Sequence, residues 1–221
     1  MRFPPFTIDG YRQLCQALAE HYPGGRNLYM RHDIDAHITG ADIIGAIDSE
    51  YGIRSTWFVQ AAAHYNPASH HNRAILRRLI WQGHTIGLHY DLADYPLDDF
   101  DAALERLVED SALLVLVTGQ KIEHVTMHSP TLGHEDMFRE LPMNPHSWGW
   151  EYVSDSCRAW RDDELRFPEK LHLNTHHEHW LKTSVMERDE FAAELEDEMT
   201  AEAFGAWATI RQEWQRNLAQ R

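Results

Sequence analysis

The sequence predicts an α/β domain whose strands run parallel and are covered by helices. Two observations carry this expectation. Short β-branched or aromatic runs alternate with stretches of helical periodicity from about residue 27 to residue 176, and that order favours parallel strands joined through helices. Polar residues also recur where those strands should end: Asp33 and Asp35, His89, His128, Asp155 and His176. Loops at the C-terminal ends of the strands of an α/β barrel gather functional groups in this way. A chain of 221 residues with 43% hydrophobic content is long and apolar enough for one sizeable core.

The elements follow in order. "NLYMRHD" reads as a strand, and "ADIIGAIDSEYG" as a helix with Ile43, Ile47 and Tyr51 spaced along it and Gly52 as its stop. "IRSTWFVQA" is a strand by its β-branched and aromatic content. In "NRAILRRLIWQG", Ile75 aligns with Leu79 and Leu76 with Ile80 before Gly83 ends the helix. "HTIGLH" is a short strand. The segment "LDDFDAALERLVEDSALLVLVTG" is a long helix whose expected inner side is Phe100, Leu104, Leu107, Val108 and Leu114. "IEHVTMH", "EYVSDS" and "KLHLNTH" complete the strands. An acidic helix is expected over 187–221, packed on the barrel through Phe191, Leu195, Met199, Trp207, Trp214 and Leu218. The whole chain is read as one domain.

Composition narrows the function classes. A formal net charge of −15 disfavours binding to nucleic acid or to an anionic membrane. No window approaches eighteen apolar residues, so no membrane span is expected. The first twenty residues lack the apolar run and small-residue cleavage site of a signal peptide. The two cysteines, Cys15 and Cys157, lie far apart and suggest no disulfide framework, so the expected location is cytoplasmic. Sixteen histidines make metal chemistry plausible while lowering the meaning of any single one.

The segments "RHDID", "GIRSTWFV", "GHTIGLHYD", "YVSDSCRAWRD" and "LNTH" resemble, in that order, the motif series of polysaccharide deacetylases of the NodB-homology type (carbohydrate esterase family 4), nearest to a branch whose first motif reads His-Asp-hydrophobic-Asp. The resemblance spans most of residues 28–180. It implies an irregular (β/α) barrel of about seven strands and a metal-dependent hydrolysis that removes an acetyl group from a sugar. It also implies Asp33 as general base, Asp35 and His89 as metal ligands, and His176 as the acid. The family's acid-and-tryptophan segment falls on Asp155, Arg158, Trp160 and Arg161. The sequence departs from the family at three places: Ala93 stands where a second metal histidine is usual, Ile34 separates acids that are usually adjacent, and Asn174 replaces a frequent leucine.

The residues fit that chemistry. Side chains at i and i+2 share a face of a strand, so Asp33 and Asp35 can converge on one site. The competing reading is that Asp35 caps the following helix. Amide hydrolysis needs an activated water, a polarised carbonyl and a protonated leaving amine; a divalent ion, a carboxylate and an imidazole divide those tasks. An Asp/His/His set suits zinc, with cobalt, manganese or nickel as alternatives. Because alanine cannot coordinate, His128 is expected to replace the missing histidine as third ligand, with Asp91 or water as its competitors. Tyr65 and Asn66, in the loop "HYNPASHHN", and Asp155, Arg158 and Trp160 are candidate substrate contacts. Arg158 and Arg161 are also candidates to orient Asp33 or to bind an anionic group, with surface salt bridging as the alternative. The tryptophans 148, 150, 160 and 180 would suit stacking on sugar rings, with core packing the equal alternative. His177 and His179 are expected to be solvated or to support the site. The expected activity is therefore removal of an acetyl group from an N-acetylated sugar or glycan precursor. The rivals are a metal-free binding or scaffold protein on the same barrel and a hydrolase of a non-sugar amide.

Overall fold

A computed structural model describes residues 1–128, 135–160, 162–187 and 189–200. It divides into two units, Met1–Val185 and Met186–Arg221. In the second unit residues 189–200 are helical. The remainder of the expected helix, with Trp207, Trp214 and Leu218, lies outside the described residues. Among the described residues no helix is long and apolar enough to cross a membrane.

The first unit is α/β. Its strands are β1 (Leu28–Ile34), β2 (Ser55–Val59), β3 (Thr85–Tyr90), β4 (Val125–Met127), β5 (Glu151–Ser154) and β6 (Leu171–His176), and its helices are α1 (Ile8–His21), α2 (Ala41–Glu50), α3 (His70–Trp81) and α4 (Phe100–Thr118). All pairings are parallel, in the order β4-β3-β2-β1-β6-β5. The curled sheet forms a half-barrel. Six strands are present among the described residues, not the expected seven, and the edge strands β4 and β5 do not pair. Both edges are short, three and four residues. The Trp148 ring lies 4.9 Å from that of Tyr29 on β1 and 5.4 Å from that of His124, just before β4.

Strand periodicity of two separates the faces. Met30, Ile34, Trp57, Val59, Ile86, Leu88, Leu171 and Leu173 share a buried core with Leu14, Leu18, Ile44, Leu76 and Leu79 from the helices. The other face carries Tyr29, Arg31 and Asp33 of β1. Beside them, register sets Phe58 and Gly87 on one side and His172, Asn174 and His176 on the other. That face is polar and holds the candidate site.

Helix α1 was not anticipated from the sequence. Thr7 caps it by accepting from the Gly10 N–H at 3.0 Å, and Tyr11, Leu14, Cys15 and Leu18 form its buried stripe. Of the expected inner side of α4, Leu107 and Leu114 are buried and Leu104 packs against the core, and Ile47 of α2 is buried as well. Ile43 of α2 is 50% exposed, while Phe100 and Val108 of α4 are 47% and 62% exposed. Buried aspartates anchor both helices in the interior. Asp48 of α2 accepts from the Tyr11 hydroxyl at 2.5 Å and meets the His32 ring at 2.9 Å. Asp110 of α4 accepts from the Tyr95 hydroxyl at 2.8 Å. Each polar partner lies in the interior, and it holds the aspartate's face of the helix there.

Gly87 supports the site by having no side chain. A Cβ there would lie 2.5 Å from the Phe58 ring, and that ring lies 5.0 Å beneath the Arg31 guanidinium. Gly87→Ala is therefore expected to destabilise the fold by about 1–3 kcal/mol through overpacking, measured as a lowered urea midpoint at unchanged slope.

Candidate metal and acid–base site

Four strand ends converge here. Asp33 lies in β1 and Asp35 just beyond it. His89 is in β3, His128 directly follows β4, and His176 ends β6. The crevice lies where neighbours of β1 run off in two directions, at the carboxyl ends of the strands, which is where ligand sites of open α/β sheets form.

Asp35, His89 and His128 form a tight triangle. Asp35 Oδ1 is 3.3 Å from His89 Nε2 and 3.2 Å from His128 Nδ1, and the two ring nitrogens are 3.3 Å apart. Asp35 Oδ1 is buried and makes no hydrogen bond. His89 Nδ1 lies 3.1 Å from the Thr126 carbonyl oxygen, to which it donates, so in the neutral ring Nε2 presents a lone pair. A tetrahedral zinc with donors at 2.0–2.1 Å sets its ligand atoms about 3.3–3.4 Å apart. The three observed separations fit such an ion. Asp35 is also the open side of the group, its side chain 32% exposed against 2% for His89. Desolvation works against the charge of Asp35, but the rings of His128, His176 and His89 outweigh it and hold the carboxyl well below its usual range.

Asp33 is held differently. Arg31, two residues earlier on the same face, donates from Nε to Oδ1 and from Nη2 to Oδ2, both at 2.6 Å. Asn174 Nδ2 donates to Oδ2 at 2.9 Å. Asp33 Oδ2 lies 3.7 Å from His89 Nε2 and 4.0 Å from His176 Nε2. Burial penalises the charge, yet Arg31 and then His89 overcome the penalty and lower the pKa to about 2. The expected orienting arginines, Arg158 and Arg161, do not fill this role in what is described. Arg158 is buried, with its guanidinium over the Phe6 ring at 5.6 Å, and Arg161 lies outside the described residues. Sequence reading missed Arg31 although it stands in the first motif. The i, i+2 rule that joined the two aspartates also places Arg31 beside them. Asn174, read only as a departure from a motif, gains a physical reason as a donor to Asp33.

His176 presents Nε2 to the site, 3.4 Å from Asp35 Oδ2. Behind it, Asp155 Oδ1 accepts from Nδ1 at 2.6 Å and from the His176 backbone N–H at 3.0 Å, and Asp155 Oδ2 accepts from Trp180 Nε1 at 2.9 Å. Burial opposes charge on the ring, but Asp155 and then Asp35 prevail and raise the His176 pKa well above its ordinary value. Asp155, His176 and His179 also bring donor atoms close together. The 2.6 Å contact between Asp155 and His176 is that of a charge-assisted hydrogen bond, too short to admit an ion between its atoms.

Several expected contacts lie elsewhere. Asp155 is fully buried with both oxygens engaged, so it supports His176 and does not meet substrate. Trp160 stacks on Phe3 at 3.9 Å. Tyr65 is buried; its hydroxyl donates to the Ile34 carbonyl at 2.9 Å and accepts from the Gln60 N–H at 2.9 Å, which ties two strand ends together. Asn66 is exposed in a turn with φ 43°, and its side chain accepts from the Ala68 N–H. His177 and His179 are buried, not solvated; His179 Nδ1 lies 3.4 Å from Asp155 Oδ2 and so stands behind His176, the supporting place that was the other expectation. Asp91 caps the turn Leu92–Asp94 by accepting from the Ala93 N–H at 3.0 Å. Neither a protein-family model nor a curated protein matches this chain.

A depressed carboxylate pKa contributes stability above the unfolded value, near 3.9, and that stability is lost as pH falls toward the folded value. For Asp33 the window runs down to about 2. Arg31→Met removes one partner of a buried pair and should cost about 3–5 kcal/mol at neutral pH. In metal-free protein it should also move the Asp33 carboxyl titration, followed by carbon NMR, upward.

Proposed function

We propose that the protein is a metal-dependent hydrolase that removes an acetyl group from an N-acetylated sugar or glycan precursor, with Asp35, His89 and His128 holding one divalent ion per chain. One observation carries the reading: an oxygen and two ring nitrogens stand 3.2–3.3 Å apart, the separation of donors around a small tetrahedral ion, beside a clamped carboxylate and an acid-ready imidazole. The resemblance of five ordered motifs to the polysaccharide deacetylases supports the substrate class. Zinc suits these donors, as do cobalt, manganese and nickel. When bound, the ion would polarise the acetyl carbonyl and acidify a water.

The chain's own groups divide the rest. Asp33 is ionised at neutral pH, and its carboxylate has four lone-pair directions, of which Arg31 and Asn174 occupy three. This carboxylate is the group that accepts the proton of the attacking water. Asp155 and then Asp35 stabilise the His176 imidazolium, which carries a proton on each ring nitrogen, so Nε2 presents one to the site. It gives that proton to the leaving amine. Arg31 and Asn174 fix the base, and Trp180 fixes Asp155, so neither group must reorganise during the reaction.

Three outcomes are expected. His128→Ala should weaken zinc binding to chelator-stripped protein by more than the roughly 10–100-fold that loss of a supporting contact costs; titration that shows unchanged affinity removes His128 from the ligand set. Asp33→Asn should abolish acetate release from N-acetylated sugars and leave metal content intact, and His176→Ala should lower turnover by about 10²–10⁴-fold. Metal loss in Asp33→Asn would mean that the two aspartates share the ligand role.

A further inference from the structure

We propose that His146, carried by the turn Pro145–Trp148, is a positioning residue for the general base: it accepts a hydrogen bond from Arg31 and so fixes the guanidinium that clamps Asp33. The contact stands on geometry, and its catalytic consequence rests on the hydrolase reading.

The argument begins with the donors of Arg31. A guanidinium carries five N–H groups on a rigid fork and accepts none. Asp33 takes Nε and Nη2, each at 2.6 Å. That leaves Nη1. The Arg31 side chain is only 3% exposed, and a buried donor without a partner costs about 1–3 kcal/mol. His146 Nε2 lies 3.0 Å from Nη1. Arginine stays protonated in proteins, so Nε2 must be the acceptor and the ring must be neutral with its proton on Nδ1.

The surroundings favour that state and hold the ring. Burial, then the charge of Arg31, lower the His146 pKa to about 4. The ring packs 4.7 Å from Tyr152 and 5.0 Å from His172, both on the polar face of the sheet. Asn144 Oδ1 accepts from the His146 backbone N–H at 3.1 Å and anchors the turn. Phe58 lies 5.0 Å from the Arg31 guanidinium carbon. Arg31 is thus held by Asp33, by His146 and by the Phe58 ring. Removing His146 frees one arm of the fork, and the guanidinium can tilt and carry the Asp33 carboxylate away from the attacking water.

The test uses the full chain labelled with nitrogen-15 at histidine and arginine, together with acetate release by zinc-loaded enzyme. In the wild type, His146 should show the Nδ1–H tautomer and Arg31 a slowly exchanging guanidinium signal. His146→Leu should lose that Arg31 signal and lower kcat about tenfold or more, with KM and zinc content unchanged. His146→Gln, whose carbonyl can stand in for Nε2, should restore the signal and most of the rate. An Nε2–H tautomer, or an Arg31 signal unchanged in His146→Leu, overturns the contact. A wild-type kcat in His146→Leu despite a lost Arg31 signal overturns the positioning role. A wild type without hydrolytic activity refutes the hydrolase reading instead, and the NMR result then decides the contact by itself.

Discussion

The alternation of β1 is the constraint on which the rest of the structure depends. Met30, His32 and Ile34 face the helices, while Tyr29, Arg31 and Asp33 face the open side of the half-barrel, and Asp35 continues toward it. One strand therefore fixes the core and the site together, because a one-residue slip would exchange the two faces. The charged side tolerates burial only because Arg31 and Asp33 meet in a two-point contact and Asn174 supplies a further donor from the neighbouring strand. The apolar side has its own buried pair: His32 bonds Asp48 at 2.9 Å and stacks on Trp57 at 4.0 Å, tying β1 to α2 and to β2.

His89 and His176 illustrate how the partner at Nδ1 sets the state of the ring. His89 faces a backbone carbonyl and keeps a lone pair at Nε2. His176 faces the Asp155 carboxylate and is drawn toward the imidazolium. The same side chain thus presents a lone pair in one strand and is drawn toward carrying a proton in another, with Asp35 between them. His146 is a third case: an arginine donor at Nε2 keeps its ring neutral.

Much of this was legible in the sequence where periodicity alone decides. The alternating elements give the parallel sheet, and polar residues at strand ends mark Asp33, Asp35, His89, His128 and His176, which the structure brings into one crevice. What was not legible depends on contacts between distant segments. Helices α2 and α4 are anchored in the interior by Asp48 and Asp110, whose partners Tyr11, His32 and Tyr95 come from other elements. Apolar spacing located Leu107 and Leu114 on the inner side of α4, but it also placed Phe100 and Val108 there, and both are exposed. Asp155 looked like a substrate contact because it closes a strand; only the register of β5 beside β6 shows it behind His176. Tyr65 looked like part of the mouth, but its hydroxyl bridges two backbone groups.

X-ray absorption at the zinc edge of the zinc-loaded protein tests the central claim most directly, because it reads donor type and distance at the ion itself. The account predicts one zinc per chain, with two imidazole nitrogens and oxygen donors at about 2.0–2.1 Å and no sulfur. A protein that retains no zinc, or a spectrum with sulfur or with fewer than two imidazoles, would contradict it.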